Sequence, residues 1–294
     1  MTTTAVPETS VVVPPAVRIA GGSFADDIRA MKMVWRRELI RFFRNRIRIF
    51  TSLMQPMLFL FVLGAGLGGI TRGVTGKLSF KTFMFPGVLA MAVLFTAIFS
   101  AISIVWDREF GFLREMLVAP VSRWAIVLGK CLGGATVATG QGIVMLCLAG
   151  AVHVPYNPVL LLTLVGELML VALALTSFGV MAASRMQEVE SFQVVMNFFV
   201  LPIFFLSGAF FPLTGIPVWL KVLSVLDPLS YGVDPMRRAV FSKLHNVTPT
   251  TLHTLAPGVH WDGWRVPTLL ELAIVAALCM VMLSVAIWQF TKAE

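Results

Sequence analysis

The chain alternates between long apolar runs and short charged segments. Residues 82–106 carry no ionisable side chain, and residues 131–152 carry none either. Each run exceeds the roughly 20 residues that a helix needs to cross a bilayer. The charged segment between them, residues 107–130, is therefore predicted to be a loop that joins two membrane spans.

The same pattern predicts six spans. They lie at about residues 51–70, 82–106, 131–152, 158–184, from about 191 onward, and 266–290. Residues 1–23 read as a disordered tail, 24–50 as an amphipathic interfacial helix, and 51–294 as the six-span domain. The expected fold is an all-α integral membrane protein with an N-terminal interfacial helix and short re-entrant helices before the last span.

The interfacial helix is predicted from apolar residues that step by three or four positions and share one helical face. They are Phe24, Ile28, Met31, Trp35, Leu39 and Phe42. The arginines and lysine of this stretch lie mostly off that face. Two interpretations stay open: the helix orients the chain by its positive charge, or it also surrounds the pore at the cytoplasmic surface and contacts a partner.

The charged loop has helical periodicity over residues 107–120. Phe110, Leu113 and Leu117 recur at i, i+3 and i+7, and charged residues stand beside them. Pro120 ends this segment, which we interpret as a short amphipathic helix at the membrane surface. Arg123 and Lys130, at the start of the next span, are expected to snorkel to headgroups.

The order of residues in this loop resembles the cytoplasmic coupling loop of ABC-2 type exporter permeases. The matching residues are Arg108, Glu109, Gly111, Arg114, Glu115, Leu117, Ala119, Pro120, Ser122, Arg123, Gly129 and Lys130. In that family the loop docks into a groove of a separate ATPase subunit. The resemblance therefore implies coupling through Arg108, Glu109, Phe110, Gly111, Leu113, Arg114, Glu115 and Leu117.

Residues 207–241 are a second point of resemblance. Four prolines break this apolar stretch, which predicts short helices that enter the bilayer and return. The drug-export members of the family carry such a pattern, and the chain looks most like the daunorubicin-type drug resistance permeases. Asp227 stands where the family usually has Asn, which puts in doubt any polar contact inferred from the family there.

Candidate residues of a translocation path come from the fourth and fifth spans. Glu167 is expected near the bilayer midplane. It is either a polar point on the transport path or dimer seam, or a protonated or hydrogen-bonded packing residue. Gln193, Asn197 and Phe204 are predicted to share one helical face. Phe198, with neighbouring phenylalanines, offers an apolar surface to a cargo, although such residues more often face lipid or pack.

Composition excludes a soluble domain, since 57% of residues are hydrophobic, 13% are charged, and the mean hydropathy is +0.86. The net charge of +8 lies beside the spans, so anionic headgroups are expected as partners and nucleic acid is not. With the N-terminus in the cytoplasm, 15 of the 23 Lys and Arg residues fall on the cytoplasmic side. We therefore expect both termini inside, in a cell inner (plasma) membrane.

Catalytic and cofactor motifs are absent from the sequence. No GxxxxGK[ST] occurs, and the GxGxxG at Gly64 ends a membrane span, without the strand and βαβ unit of a dinucleotide site. Cys131, Cys147 and Cys279 read as packing residues, and the spacing of His245, His253 and His260 matches no metal motif. We expect no enzyme activity and no cofactor in this chain, with ATP and magnesium on the partner.

The sequence thus favours the permease subunit of an ATP-driven exporter that moves a hydrophobic or amphipathic cargo, either a drug or a lipid. A second permease subunit, identical or homologous, is expected across the pore. Two alternatives stay open: a permease for polysaccharide or lipid-linked glycan, and a proton-driven secondary transporter in which Glu167 carries the proton.

Overall fold

The computed structural model describes residues 23–68, 79–111, 121–211, 216–244, 257–261 and 264–292. Its helices are α1 (Phe24–Arg44), α2 (Arg46–Leu58), α3 (Phe80–Ser100), α4 (Ile102–Glu109), α5 (Arg123–Leu146), α6 (Pro158–Ala183), α7 (Val189–Leu206), α8 (Val218–Leu226), α9 (Ser230–Ser242) and α10 (Thr268–Lys292). A π-helical turn, Phe59–Leu63, extends α2, and a 3-10 turn, Ala149–Val152, follows α5. The predicted all-α integral membrane fold is confirmed.

Within the described residues, five helices are long and apolar enough to cross a membrane. They are Arg46–Gly66, Phe80–Glu109, Pro158–Ala183, Val189–Leu206 and Thr268–Lys292. Helix α5 has 24 residues, which is about 36 Å at 1.5 Å per residue, and it packs beside α3 and α6 through the same bundle. It carries Arg123 and Lys130 and is not among the five, so the count of six spans stays a prediction.

Helix α3 forms the centre of the bundle. It is buried on all sides, and α5, α6 and the end of α2 pack against it. Its residues are apolar almost without interruption, as expected of a helix surrounded by other helices. Helices α6 and α10 pack against each other on one side, and α2 and α7 contact α3 on another.

The bundle has two polar ends, which we name by the helices that lie there. At the α1 end, Arg123 donates to the carbonyl of Phe290 at 2.9 Å, and Arg108 donates to that of Ser184 at 2.7 Å. At the α9 end, Thr82 donates to the carbonyl of Val152 at 2.7 Å. These bonds tie helix ends together where backbone groups lack partners within the helices.

The α9 end holds a buried ion cluster around Glu271, for which the sequence predicts snorkelling near the outer end of the last span. Instead of snorkelling, Glu271 is 0% exposed and lies 3.2 Å from a guanidinium nitrogen of Arg238, which also pairs with Asp234. Arg238 donates to the carbonyl of Val266 at 3.1 Å. A carboxylate this deep needs a cation beside it, and α9 supplies one.

The region of the predicted re-entrant helices contains α8 and α9, joined by Asp227–Leu229. The Asp227 carboxylate accepts from the backbone N–H of Leu229 at 3.2 Å and from the hydroxyl of Ser230 at 3.3 Å. This is a turn in which a short acidic side chain replaces a backbone acceptor, and Asn can make it too. A two-stranded hairpin, β1 (His260–Trp261) and β2 (Trp264–Arg265), precedes α10.

Several sequence predictions concern residues outside the described part. They include the tail up to residue 22, residues 112–120 of the coupling helix, and His245 and His253. His260 is described, and its ring lies against the carbonyl of Gly258 at 3.0 Å. The charged segment is shorter as a loop than predicted, because Asp107 belongs to α4 and Arg123–Lys130 belongs to α5.

Candidate functional site

The most polar interior site lies at the α1 end, where α1, α4 and α5 meet. Lys130 of α5 is 4% exposed, and its ammonium group lies 2.7 Å from Oε1 of Glu38 and 2.5 Å from Oδ2 of Asp107. The Ser103 hydroxyl accepts from it at 3.0 Å. The expectation that Lys130 snorkels to headgroups is therefore wrong: it is buried between two carboxylates from two other helices.

Two arginines of α1 complete this site. Arg37 donates to Oδ2 of Asp107 at 2.5 Å, and Arg41 lies 3.4 Å from Oδ1 of the same carboxylate. The Arg41 guanidinium also lies 5.9 Å from the ring centre of Trp106. We call Arg37, Glu38, Arg41, Asp107 and Lys130 the ionic clasp, since they fasten three helices together.

Helix α1 reaches the clasp because α5 presents glycines to it. A Cβ on Gly129 would lie 2.8 Å from both the carbonyl oxygen of Met31 and Cβ of Val34, and one on Gly133 would lie 2.7 Å from Cβ of Glu38. Side chains there would push the helices apart. The Trp35 indole N–H donates to Thr136 at 3.1 Å and adds a direct bond between α1 and α5.

The stability that the ionic clasp provides depends on whether each buried charge has a close partner of opposite charge. Taking charges out of water is costly, and a buried pair recovers this cost only with close, well-aligned partners. Asp107 has three cationic partners and Lys130 two anionic ones. Among the described residues, removal of Lys130 would leave Glu38 with Arg41 alone, at 4.0 Å, and loss of a partner from a buried ion pair typically costs about 3–5 kcal/mol.

The candidate coupling residues begin where the clasp ends. Arg108 donates to the carbonyls of Met186 at 2.6 Å and Ser184 at 2.7 Å, so it anchors the loop to the end of α6. Glu109 is exposed, Phe110 is 69% exposed, and Gly111 follows with φ 79°. Leu113, Arg114, Glu115 and Leu117 lie outside the described residues. The described root of the loop thus has one anchored arginine and one exposed aromatic ring.

The candidate path residues on α7 fall into two groups. Gln193 and Asn197 are exposed, and Phe198 is 73% exposed. Phe204 is buried, with its ring centre 4.8 Å from that of Phe210 and 6.4 Å from that of Phe59. Phe204 is thus packed against other rings, although on an α-helix it stands on the same side of α7 as Gln193 and Asn197, and its place on a translocation path stays a prediction.

The reason lies in the buried stripe of α7. Its members, Phe192, Met196, Val200 and Phe204, recur every four residues. Such a stripe turns by about 40° around the helix at each step, because four residues exceed one turn of 3.6. Phe204 is thus brought against α3 and the end of α2, on the side of α7 where Gln193 and Asn197 are exposed nearer the start of the helix.

Glu167 lies inside the bundle and away from the exposed face of α7. Its helix, α6, packs against α3, α5 and α10, and the side chain is buried. Oε2 of Glu167 has no hydrogen-bond partner among the described residues. The geometry places Glu167 as an interior residue of one subunit.

The sequence pattern identified the arginines of α1 as a basic face, but it assigned no role to Glu38. Glu38 is the only acidic residue between Asp27 and Asp107. A lone carboxylate in the basic stretch of residues 29–48 was the available signal. Lys130 was read as a flanking charge, although glycines on either side of it favour close helix contact. In the described part of the chain, no group of three or more His, Cys, Asp or Glu residues is placed to hold a metal ion.

Together, the apolar helical bundle and its buried polar ends define an all-α integral membrane protein. The sequence profile described as ABC-2 type transporter matches residues 29–241, so the chain belongs to the ABC-2 type transporter family. Members of this family work with ABC ATPase partners. The chain is accordingly a transmembrane subunit of an ABC transporter.

Its relatives are transport permeases and a nodulation protein. The chain is 26% identical over 213 residues to "Putative transport permease ycf38" of Cyanophora paradoxa, which covers 71% of this chain and 73% of the relative. It is 30% identical over 211 residues to "Nodulation protein J" of Rhizobium leguminosarum bv. viciae, covering 69% and 79%. It is 29% identical over 160 residues to "Probable multidrug ABC transporter permease YbhR" of Escherichia coli K12, covering 54% and 43%.

Proposed function

We propose that this chain is the permease subunit of an ABC exporter that moves a hydrophobic or amphipathic cargo, driven by separate ATPase subunits. The family and the relatives support a transport permease. The one multidrug permease among the relatives named above, together with the resemblance to daunorubicin-type permeases, favours a drug or a lipid as cargo. ATP and magnesium would bind the ATPase, since this sequence has no Walker motif.

The ionic clasp is the observation that carries the coupling part of the proposal. Asp107 stands three residues before the exposed ring of Phe110, and its carboxylate is held by cations from α1 and α5. Force applied to the loop therefore reaches α1, α4 and α5 together. We propose that an ATPase binds the segment from Arg108 to Leu117 and moves these helices as a unit.

A second permease subunit is supported by the exposed face of α2 and α7. The two helices meet where Phe59 packs on Phe204, and Gln55, Gln193 and Asn197 are exposed on them. An amide group that faces hydrocarbon costs free energy, so this face calls for protein or water beside it. We propose that it forms the seam and path between two subunits, identical or homologous.

The cargo class is inferred from the same face. Its exposed residues are mostly apolar and aromatic, among them Val194, Phe198, Leu201 and Phe205. A polysaccharide path needs polar groups along its length, and the described part of this face offers the three amides named above. This composition favours an apolar or amphipathic cargo over a glycan.

The orientation we propose puts the α1 end in the cytoplasm of a cell with an inner (plasma) membrane. The positive charge of α1 and of the coupling loop supports this orientation. Both termini would then be cytoplasmic, and the α9 end would face outward. The ATPase would bind from the cytoplasmic side.

The direct test of coupling replaces Phe110 with Ala. We expect Phe110→Ala to lower the amount of ATPase that co-purifies with the tagged permease by about tenfold, because an exposed aromatic anchor often contributes 2 kcal/mol or more to an interface. Leu269→Ala is the matched control: Leu269 is 83% exposed at the opposite end. Equal ATPase recovery with both variants would remove Phe110 from the interface.

A further inference from the structure

A cavity of about 200 Å³ lies between α6, α7 and α10, on the side of α7 away from the proposed seam. Every described residue that lines it is apolar. The walls include Leu175, Phe178, Phe199, Ile203, Leu229 and Val275. Its floor is buried, whereas Phe178, Ile203 and Leu278 at the rim are half-buried. The cavity therefore opens sideways, between two spans, toward the surrounding bilayer.

The occupant follows first from the chemistry of the walls. A cavity with purely apolar walls stays dry, and one of about 150 Å³ suffices to bind a benzene-sized molecule. Within the described residues no polar side chain lines this one, so they offer nothing to orient a polar ligand there. The hydrocarbon of the membrane is the apolar material that lies at its mouth.

Position separates this cavity from the seam. On an α-helix, Phe199 and Ile203 lie about 120° around α7 from Gln193 and Asn197. A second subunit that packs on the exposed amides would leave the cavity mouth facing lipid. The cavity is therefore distinct from the proposed path between subunits.

Helix α8 ends next to the cavity, and its residues indicate which kind of lipid headgroup would lie there. Val218, Trp219, Val222 and Leu226 are exposed on α8, and a helix with this pattern lies along a membrane surface with its apolar side in the lipid. Its one charged residue is Lys221, which is exposed. Pro228 and Leu229, just beyond the end of α8, line the cavity.

We infer that the cavity binds one acyl chain of an anionic phospholipid from the leaflet that contains α8, with the headgroup near Lys221. The Phe178 and Phe199 rings, at 6.1 Å and 80° to each other, form one wall of the chain site. The cationic side chain and the dry cavity together select a lipid over a free apolar molecule. The inference needs α6, α7 and α10 to be membrane spans and does not rest on the ATPase or the cargo.

The test uses phosphatidylglycerol with a diazirine on one acyl chain, in phosphatidylcholine nanodiscs that hold the purified permease with the subunits it retains. After illumination, peptide mass spectrometry locates the labelled residues. We expect label to concentrate on Phe178, Ile203, Leu278 and Met282 rather than on the exposed Met280 and Val281 of α10. Label spread evenly over the lipid-facing residues would overturn the inference.

Two alanines on neighbouring helices supply a matched pair of variants. Ala174 lines the cavity, and Ala277 is exposed on α10 outside it. Ala174→Phe should lower cavity labelling by about tenfold, since loss of burial of about two methylene groups is worth that factor, whereas Ala277→Phe should leave it unchanged. Leu278→Trp, at the half-buried rim, should block the mouth and gives the same readout if Ala174→Phe fails to fold.

The headgroup is tested separately at an exposed residue. Lys221→Gln should remove the preference for the phosphatidylglycerol probe over a phosphatidylcholine probe with the same diazirine, while both probes still label the cavity. Equal labelling of the native chain by the two probes would contradict the inferred preference for an anionic headgroup. Unchanged cavity labelling in Ala174→Phe and Leu278→Trp would overturn the acyl-chain site itself.

Discussion

At the scale of single residues, Lys130 is the side chain on which the account depends most. It is one of two charged residues in a helix of 24 residues, and it lies between carboxylates supplied by α1 and α4. In a region that excludes water, the cation is stable only with both partners in place. Residue identity at this position therefore contributes to the attachment of α1, beside the Trp35–Thr136 bond and the glycine contacts.

Replacement of Lys130 by Met tests this claim. We expect Lys130→Met to lower the free energy of unfolding by about 3–5 kcal/mol, because Glu38 and Asp107 lose a buried partner. Denaturant unfolding of the detergent-solubilised protein measures the change. Lys32→Met, an exposed lysine of α1, is the control and should stay within about 0.5 kcal/mol of the native chain.

A variant with substitutions at both Glu38 and Lys130 tells whether these two side chains interact directly or affect stability only through packing. In Glu38→Gln with Lys130→Met, the buried carboxylate is neutralised together with its cation. We expect the double variant to lose at least 1 kcal/mol less than the sum of the single losses, within the range that contacting residues usually show. Strict additivity would mean that the two side chains do not interact.

Asp227 offers a second prediction at this scale. Asp227→Ala removes an acceptor from the N–H of Leu229 and the hydroxyl of Ser230, and should cost about 1–2 kcal/mol. Asp227→Asn keeps an oxygen in the same place and should retain most of the stability. Thermal unfolding compares the two. If Asn and Ala destabilise the chain equally, the hydrogen bonds to the side chain do not hold this turn.

At the scale of elements, the contact of α1 with α5 positions the clasp. The glycines of α5 set the distance between the two helices, since Gly129 lies against the backbone of Met31. Small residues at a helix interface in a membrane allow this closeness. The predicted interfacial helix is thus packed on the bundle, with its buried carboxylates turned inward.

Gly129 and Gly140 of α5 provide a matched test of the contact between α1 and α5. Gly129→Ala should destabilise the chain by about 1–3 kcal/mol, because the new methyl group overlaps Met31 and Val34. Gly140→Ala has nothing within 4 Å and should gain up to about 1 kcal/mol from helix propensity. The unfolding midpoints of the two variants and the native chain measure these changes in stability. Stabilisation by both substitutions would show that α1 does not pack at Gly129.

The spans were predictable from sequence because a long apolar run has few alternatives to a membrane helix. The clasp was not, because a hydropathy pattern assigns any charge to a loop unless its partner is known. The partner of Lys130, Glu38, lies 92 residues away in the sequence. Glu271 was misread for the same reason.

At the scale of the whole molecule, the bundle has an ion cluster at each end. The clasp joins α1, α4 and α5, and the cluster of Asp234, Arg238 and Glu271 joins α9 to α10. Between them lies an apolar core centred on α3. In the mechanism proposed above, a coupling loop that moves the helices at one end would act through these spans on the segment at the other.

The measurement that tests this account most directly is purification of the tagged chain from its native membrane in mild detergent, followed by identification of co-purifying proteins and an assay of vanadate-sensitive ATP hydrolysis. The account predicts a stoichiometric ABC ATPase subunit with that activity. A preparation without an ATPase that transports in liposomes under a proton gradient, and loses transport in Glu167→Gln, would contradict it.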